Sequence, residues 1–209
     1  MSLEAALAAG IEELGLAIGP SRRKLLLTYV SLLAKWNAVY NLSAIRTERE
    51  MLSHHVQDAL AIVPHLPGGR LVDVGSGGGL PGIPVAIAEP DRSITLLDSS
   101  RKKAAFLQQA VIELGLKNAS VHSARVERWH AERPFDVITS RAFADLAEFV
   151  SRTRHLLAQS GVFAAMKGAY PRVEIEHLPE GFRVRSVQRL AVPGVSAERH
   201  LVLVERASP

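Results

Sequence analysis

Apolar positions change their spacing once along the chain. Leu3, Leu7, Ile11, Leu14 and Leu16 recur at helical spacing, Gly19 and Pro20 interrupt, and Leu26, Tyr29, Val30, Leu33, Trp36 and Tyr40 form a second, longer stripe. Residues 41–46 (NLSAIR) read as a connector, and Thr47 with Glu50 makes a capping box that opens a third helix through His54, His55, Val56, Asp58 and Leu60. Pro64, Pro67, Gly68 and Gly69 then punctuate. From Arg70 onward the pattern alternates, with strands predicted at 70–74, 93–98, 119–122, 135–140 and 160–167 and helices between them. Two more strand-like runs, 182–189 and 200–206, follow with little helix between them. The pattern predicts an α/β protein: a helical cap over 1–68, and a core over 69–209 built on a mostly parallel, doubly wound sheet closed by an antiparallel hairpin.

The core is organised around LVDVGSGGGLPG, residues 71–82, where a strand runs into a block of glycines and a helix follows. Ligands of open α/β sheets bind at the carboxyl ends of strands, and glycines there let a ligand approach bare backbone at a helix N-terminus. Gly77, Gly79 and Gly82 fit the dinucleotide pattern G-x-G-x-x-G, whereas Gly75, Gly77 and Gly79 fit a G-x-G-x-G turn with Asp73 two residues before it. A carboxylate aimed into the pocket repels a pyrophosphate but pairs with an ammonium or sulfonium group. Asp73 therefore favours S-adenosylmethionine over a dinucleotide, and the closing hairpin points the same way. Asp98, ending the next strand, suits a ribose diol in either reading.

Composition narrows the classes further. A chain of 209 residues, 47% hydrophobic, is long enough for one well-buried domain and an appendage. It carries a formal charge of +4, concentrated after residue 140, which suits an anionic partner such as RNA and equally a solvated surface. The absence of cysteine excludes disulfides, thiolate metal sites and a cysteine nucleophile. With no secretory signal pattern and no long apolar run, a cytoplasmic protein is expected.

Other strand ends and helix faces supply candidates. Val126 and Glu127 follow the third strand at the level of an adenine ring, with a surface helix start as the alternative. Ser140 and Arg141 end the fourth strand in FDVITSRAF, without the Asn/Asp and Pro-Pro-aromatic run of many exocyclic amine methylases. Lys167 ends the fifth strand and either grips a phosphate or carbonyl or merely solubilises. Arg101, Lys102 and Lys103 open a helix, either as RNA contacts or as a solvated face. Trp36, Tyr40 and Asn41 fit core packing better than base contacts. His55 and Asp58 lie one turn apart and lack further metal ligands, so an intrahelical hydrogen bond or a loop anchor is expected rather than a metal site.

LVDVGSGGGLPGIP, LLDSSRKKAAFL, FDVITSRAF, MKG, ERHLVLVER and, in the cap, WNAVYNLSAI with the His55 to Asp58 segment together resemble the GidB family over nearly the whole chain. The resemblance implies a Rossmann-like class I methyltransferase fold, S-adenosylmethionine as donor, and N7 of one guanine in the decoding-region loop of 16S ribosomal RNA, or of the small subunit carrying it, as acceptor. It places cofactor contacts on Gly75, Leu80, Val126, Glu127 and Arg141, and the ribose on Asp98. Together with the turn, the expected cofactor set is Asp73, Gly75, Ser76, Gly77, Gly79, Leu80, Asp98, Ser99, Val126, Glu127 and Arg141. Arg141 and Lys167 are expected to orient the base, with no general base, and Trp36, Asn41, Arg46, Arg101, Lys102 and Lys103 to meet RNA. A monomer is expected. The turn is all glycine in its middle, where the family often has another small residue or proline. Methylation of another RNA, nicotinamide-dependent redox chemistry and noncatalytic RNA binding are the alternative readings.

Overall fold

The computed structural model describes residues 1–207. Helices α1 (Leu3–Glu13) and α2 (Pro20–Tyr40) open the chain. Ser2 caps α1, its Oγ accepting from the Ala5 amide, and Pro20 sits at the first turn of α2, where its missing N–H costs nothing. The expected capping box is present at α3 (Glu48–Met51): Thr47 Oγ1 accepts from the Glu50 amide and donates to the Glu50 carboxylate. The helix does not continue regularly. Leu52–Gln57 forms a π-helical turn before α4 (Asp58–Leu60), and widened turns of this kind cluster where side chains must be aimed.

Seven strands follow: β1 (Leu71–Val74), β2 (Ile94–Asp98), β3 (Ala119–Ser123), β4 (Phe135–Ser140), β5 (Leu157–Lys167), β6 (Phe182–Arg189) and β7 (His200–Arg206). Helices α5 (Gly82–Ala88), α6 (Arg101–Glu113), α7 (Leu146–Thr153) and α8 (Arg172–Glu176) connect them. The sheet order is β3-β2-β1-β4-β5-β7-β6, with β7 antiparallel to both neighbours and the rest parallel. Crossing from β1 outward, the chain goes first to β2 and β3, then back past β1 to β4 and β5. The switch point lies between β1 and β4, beside the glycine turn.

Strand alternation feeds two apolar layers. Leu71, Leu96, Val137 and Ala164 face a core shared with α5 and α6, and the cap residues Leu7, Ile11, Tyr29 and Leu33 belong to that same cluster. Val72, Val74, Ile138 and Phe163 face the other way, against Leu146, Phe149 and Val150 of α7. The cap thus buries its stripe on the sheet's own helices, and α2 reaches the glycine turn. No helix among the described residues is long and apolar enough to cross a membrane.

Candidate active site

The carboxyl ends of β1 and β2 are knit together by the turn. Gly75 and Ser76 amides both donate to the Leu97 carbonyl, and the Gly77 amide donates to Asp98 Oδ2 at 2.9 Å. Asp98 Oδ1 accepts from the Ser100 amide, which fixes the carboxylate and leaves its remaining lone pairs for a diol. Gly75, Gly77 and Gly79 all have positive φ, and a Cβ on Gly75 would stand 2.8 Å from that of Ala142. The turn accordingly requires glycine both for its dihedrals and for its close approach to the loop after β4.

A cavity of 170 Å³ opens here, lined by Gly75, Asp98, Ser99, Val126, Glu127 and Phe143 among others. Val126 is buried and lines this cavity as an apolar wall. Glu127 is exposed, and its carboxyl is held below the usual carboxylate range chiefly by its own backbone amide and further by Arg152, which donates to it at 2.8 Å.

One expectation for this turn is corrected. Asp73 does not face the cleft. It is fully buried under the turn, Oδ2 accepting from the Gly82 amide at 2.9 Å and Oδ1 without a partner, because strand alternation turns it toward α5. Burial raises its pKa to about 7. Ser76 is buried too, its hydroxyl donating to the Asp73 carbonyl, and Leu80 packs into the core. All three shape the turn from behind. From the cap side, the buried Tyr29 hydroxyl donates to the Gly78 carbonyl at 2.6 Å, and burial raises its pKa.

Next to this cavity, across Phe143, lies a larger one of 630 Å³ over the ends of β4, β5 and β7. Its floor is a network centred on Asp58, 2% exposed. Asp58 Oδ2 accepts from Arg141 Nη1 at 3.2 Å and Oδ1 from Arg199 Nε at 3.1 Å. Arg141 also donates to the His54 carbonyl, in the π-helical turn. One buried carboxylate between two guanidiniums leaves the floor with a net positive charge. His55 beside it bonds Ser43 through Nε2 at 2.7 Å, and burial, then Arg141, lowers its pKa to about 4. His55 and Asp58 are thus hydrogen-bonding groups, with both Asp58 oxygens occupied by arginines.

Lys167 is placed differently from the expectation that it grips substrate. Its ammonium donates to the Phe143 and Ala144 carbonyls and pairs with Glu174 at 2.7 Å, which uses its three donors. It fastens the loop after β4. The other expected RNA contacts scatter. Trp36 packs on Tyr40 and Phe106, as core packing predicts. Exposed Arg46 donates to Asn41 Oδ1 at the cap's outer end. Arg101 and Lys102 are exposed on α6, Lys103 is half-buried, and Lys102 lies over the Tyr40 ring. None of these six lines either cavity.

Tyr29 was legible only as part of the α2 apolar stripe, and Phe143, Tyr170, Glu174 and Arg199 were not legible as cavity residues. For Phe143 and Arg199 the signal lies in the motifs SRAF and ERHLV.

A seven-stranded sheet in this order, with a glycine turn bonded to the acid that ends β2 at its switch point and an antiparallel final hairpin, defines a class I, S-adenosylmethionine-dependent methyltransferase. The residues present suit a nucleoside cofactor: glycine backbone closes on the cleft from one side, and the Asp98 carboxylate and the apolar Val126 line it on the other. Among solved structures, the glycopeptide N-methyltransferase MtfA with S-adenosylhomocysteine superposes with a TM-score of 0.59 at 12% identity, over 73% of this chain and 87% of that one. Ribosomal protein L11 methylase from Lactobacillus delbrueckii subsp. bulgaricus gives 0.57 at 16% identity, over 74% and 79%. These likenesses concern the fold alone.

The family follows from sequence. The GidB family model, rRNA small subunit methyltransferase G, matches residues 22–202, and the chain belongs to that family. It is 60% identical over 202 residues to the ribosomal RNA small subunit methyltransferase G of Laribacter hongkongensis, covering 97% of this chain and 98% of the relative. It is 56% identical over 201 residues to the protein of that name from Neisseria meningitidis serogroup A, covering 96% and 97%. Family membership removes the dinucleotide reading left open by the glycine pattern.

Proposed function

We propose that this chain transfers the methyl group of S-adenosylmethionine to N7 of a guanine in the decoding-region loop of 16S ribosomal RNA. The observation that carries the reading is the pair of cavities meeting at Phe143, one lined by nucleoside-binding groups and the other floored by Arg141, Asp58 and Arg199. The names of the relatives supply ribosomal RNA of the small subunit as the substrate class.

The residues of the larger cavity favour an acceptor that has no proton to lose. Asp58 is held between two arginines, Glu174 is held by Lys167, and His55 is a weak base. Guanine N7 presents a bare lone pair, so its methylation needs alignment and not proton removal. When bound, S-adenosylmethionine supplies an electrophilic methyl on a sulfonium centre. Asp98 and the glycine turn hold the nucleoside end, and Arg141 and Arg199 present donors to guanine O6 or an adjoining phosphate. Holding two reactants in line contributes on the order of 7–11 kcal/mol. Asp73 acts through its field on the cation, and Lys167 acts by fixing the loop that separates the two cavities. We place this reaction in the cytoplasm and assign it to a monomer.

The test is transfer of labelled methyl to small subunits lacking their native methylation, with digests mapped by mass spectrometry. Label on a single N7-methylguanosine is the expected result. Label on an exocyclic amine, or no label with cofactor bound, would refute the assignment.

A further inference from the structure

The segment between β5 and β6 carries two side chains that the reaction described so far does not use in contact with substrate. Tyr170 lines the larger cavity and is 53% exposed, although a tyrosine ring ordinarily packs. Its ring is not loose. It stands perpendicular to His200, with centroids 5.8 Å apart, and His200 is itself buried, Nδ1 donating to the Gly168 carbonyl at 2.7 Å. Four residues on, Glu174 pins the same segment from two sides. Its Oε2 pairs with Lys167 at 2.7 Å and accepts from the Leu146 amide at 2.9 Å, at the start of α7.

We infer that Tyr170 is the stacking platform for the acceptor base, and that the Glu174 to Lys167 latch is its positioning device. The inference rests on the proposed reading of the cavity as the guanine site. A base turned out of an RNA loop gives up stacking on its neighbours, and an aromatic face in the receiving cavity restores it. Tyr170 is the aromatic side chain with most of its surface free there, since Phe143 is packed on Phe149. The perpendicular contact with His200 fixes the tilt of the ring, and its exposure leaves ring surface open to the cavity. Methylation makes the purine cationic, which strengthens its attraction to an aromatic face, so the platform favours the product side of the step.

Kinetics with undermethylated small subunits test this directly. Tyr170→Ala raises KM for the subunit about five- to a hundredfold, with S-adenosylmethionine affinity and melting temperature unchanged. Tyr170→Phe restores KM, because the ring and not the hydroxyl is used. Glu174→Ala raises KM as well, and its effect is smaller in the Tyr170→Ala background, which a purely structural role for either residue does not give. A second measurement is independent of the particle: 7-methylguanosine monophosphate binds the wild type and Tyr170→Phe, and binds Tyr170→Ala at least fivefold more weakly. If the wild type does not label the particle yet shows this nucleotide pattern, the proposed substrate fails and the platform stands. Wild-type KM in Tyr170→Ala, failure of Tyr170→Phe to rescue, or equal nucleotide binding by wild type and Tyr170→Ala overturns the inference.

Discussion

Asp73→Asn should make the empty protein more stable and the working protein worse. Asp73 is fully buried, has one oxygen on the Gly82 amide and the other on nothing, and its pKa is raised from 3.8 to about 7. A group raised in the folded state contributes its full stability below its unfolded value and loses it as pH climbs through the folded one. Between pH 3.8 and 7 the folded protein holds the extra proton, so this group makes stability fall as pH rises. The difference of 3.2 between the two values amounts to about 4 kcal/mol of cost above pH 7. Asparagine keeps the shape and the Gly82 bond and removes the charge, but leaves an amide N–H₂ without an acceptor, which costs roughly 1–3 kcal/mol. The net gain at pH 8 is about 1–3 kcal/mol, or several degrees in melting temperature for a chain of this size. His55 works in the opposite sense. Its folded pKa of about 4 lies below its unfolded 6.5, so its contribution is complete above 6.5 and is lost as pH falls toward 4, about 3 kcal/mol in all. In the wild type the two slopes largely cancel between pH 4 and 6.5, and Asp73→Asn unmasks a rising profile. Thermal melts from pH 4 to 8, with calorimetric titration of S-adenosylmethionine at pH 8, check both halves. An Asn variant less stable than wild type at pH 8, or one that binds the cofactor unchanged, would refute the reasoning.

Further outcomes follow from the same contacts. Gly75→Ala places a Cβ against Ala142 at a φ of +74°, so cofactor affinity should fall at least tenfold in titration calorimetry, with a stability loss of about 1–2 kcal/mol. Asp58→Asn leaves Arg141 and Arg199 without their shared counter-charge. Chemical denaturation should show a loss of about 2–3 kcal/mol, and methyl transfer should drop at least tenfold while cofactor affinity holds. Tyr29→Phe removes the hydrogen bond to the Gly78 carbonyl, and a loss of about 1–2 kcal/mol with a severalfold weaker cofactor affinity is expected. An unchanged affinity there would show that the cap does not brace the turn.

Much of the fold was legible because it rests on local signals. Two apolar periods separate the helical cap from the alternating core, and a capping box marked α3 at Thr47 and Glu50. Glycines at 75, 77 and 79 marked the turn, because positive φ excludes most other residues. Asp98 and Val126 were readable as cavity-lining positions because Asp98 ends β2 and Val126 follows β3 by three residues, on the side where the sheet opens. The π-helical turn at Leu52–Gln57 was not readable, and the partner its His54 carbonyl accepts from, Arg141, lies 87 residues away in sequence.

Charge type and strand position were therefore determined by the sequence alone, and so was the cofactor class they imply. What each charge does was decided by tertiary structure. Asp73 and Lys167 both sit at strand ends and look equally free in sequence. Folding turns the first under the glycine turn and surrounds the second with three acceptors. Asp58 becomes the centre of the larger cavity's floor because Arg141 and Arg199, 83 and 141 residues away, converge on it. No local pattern encodes such a meeting. It is fixed by the order in which the strands pair and by which face each side chain takes when they do.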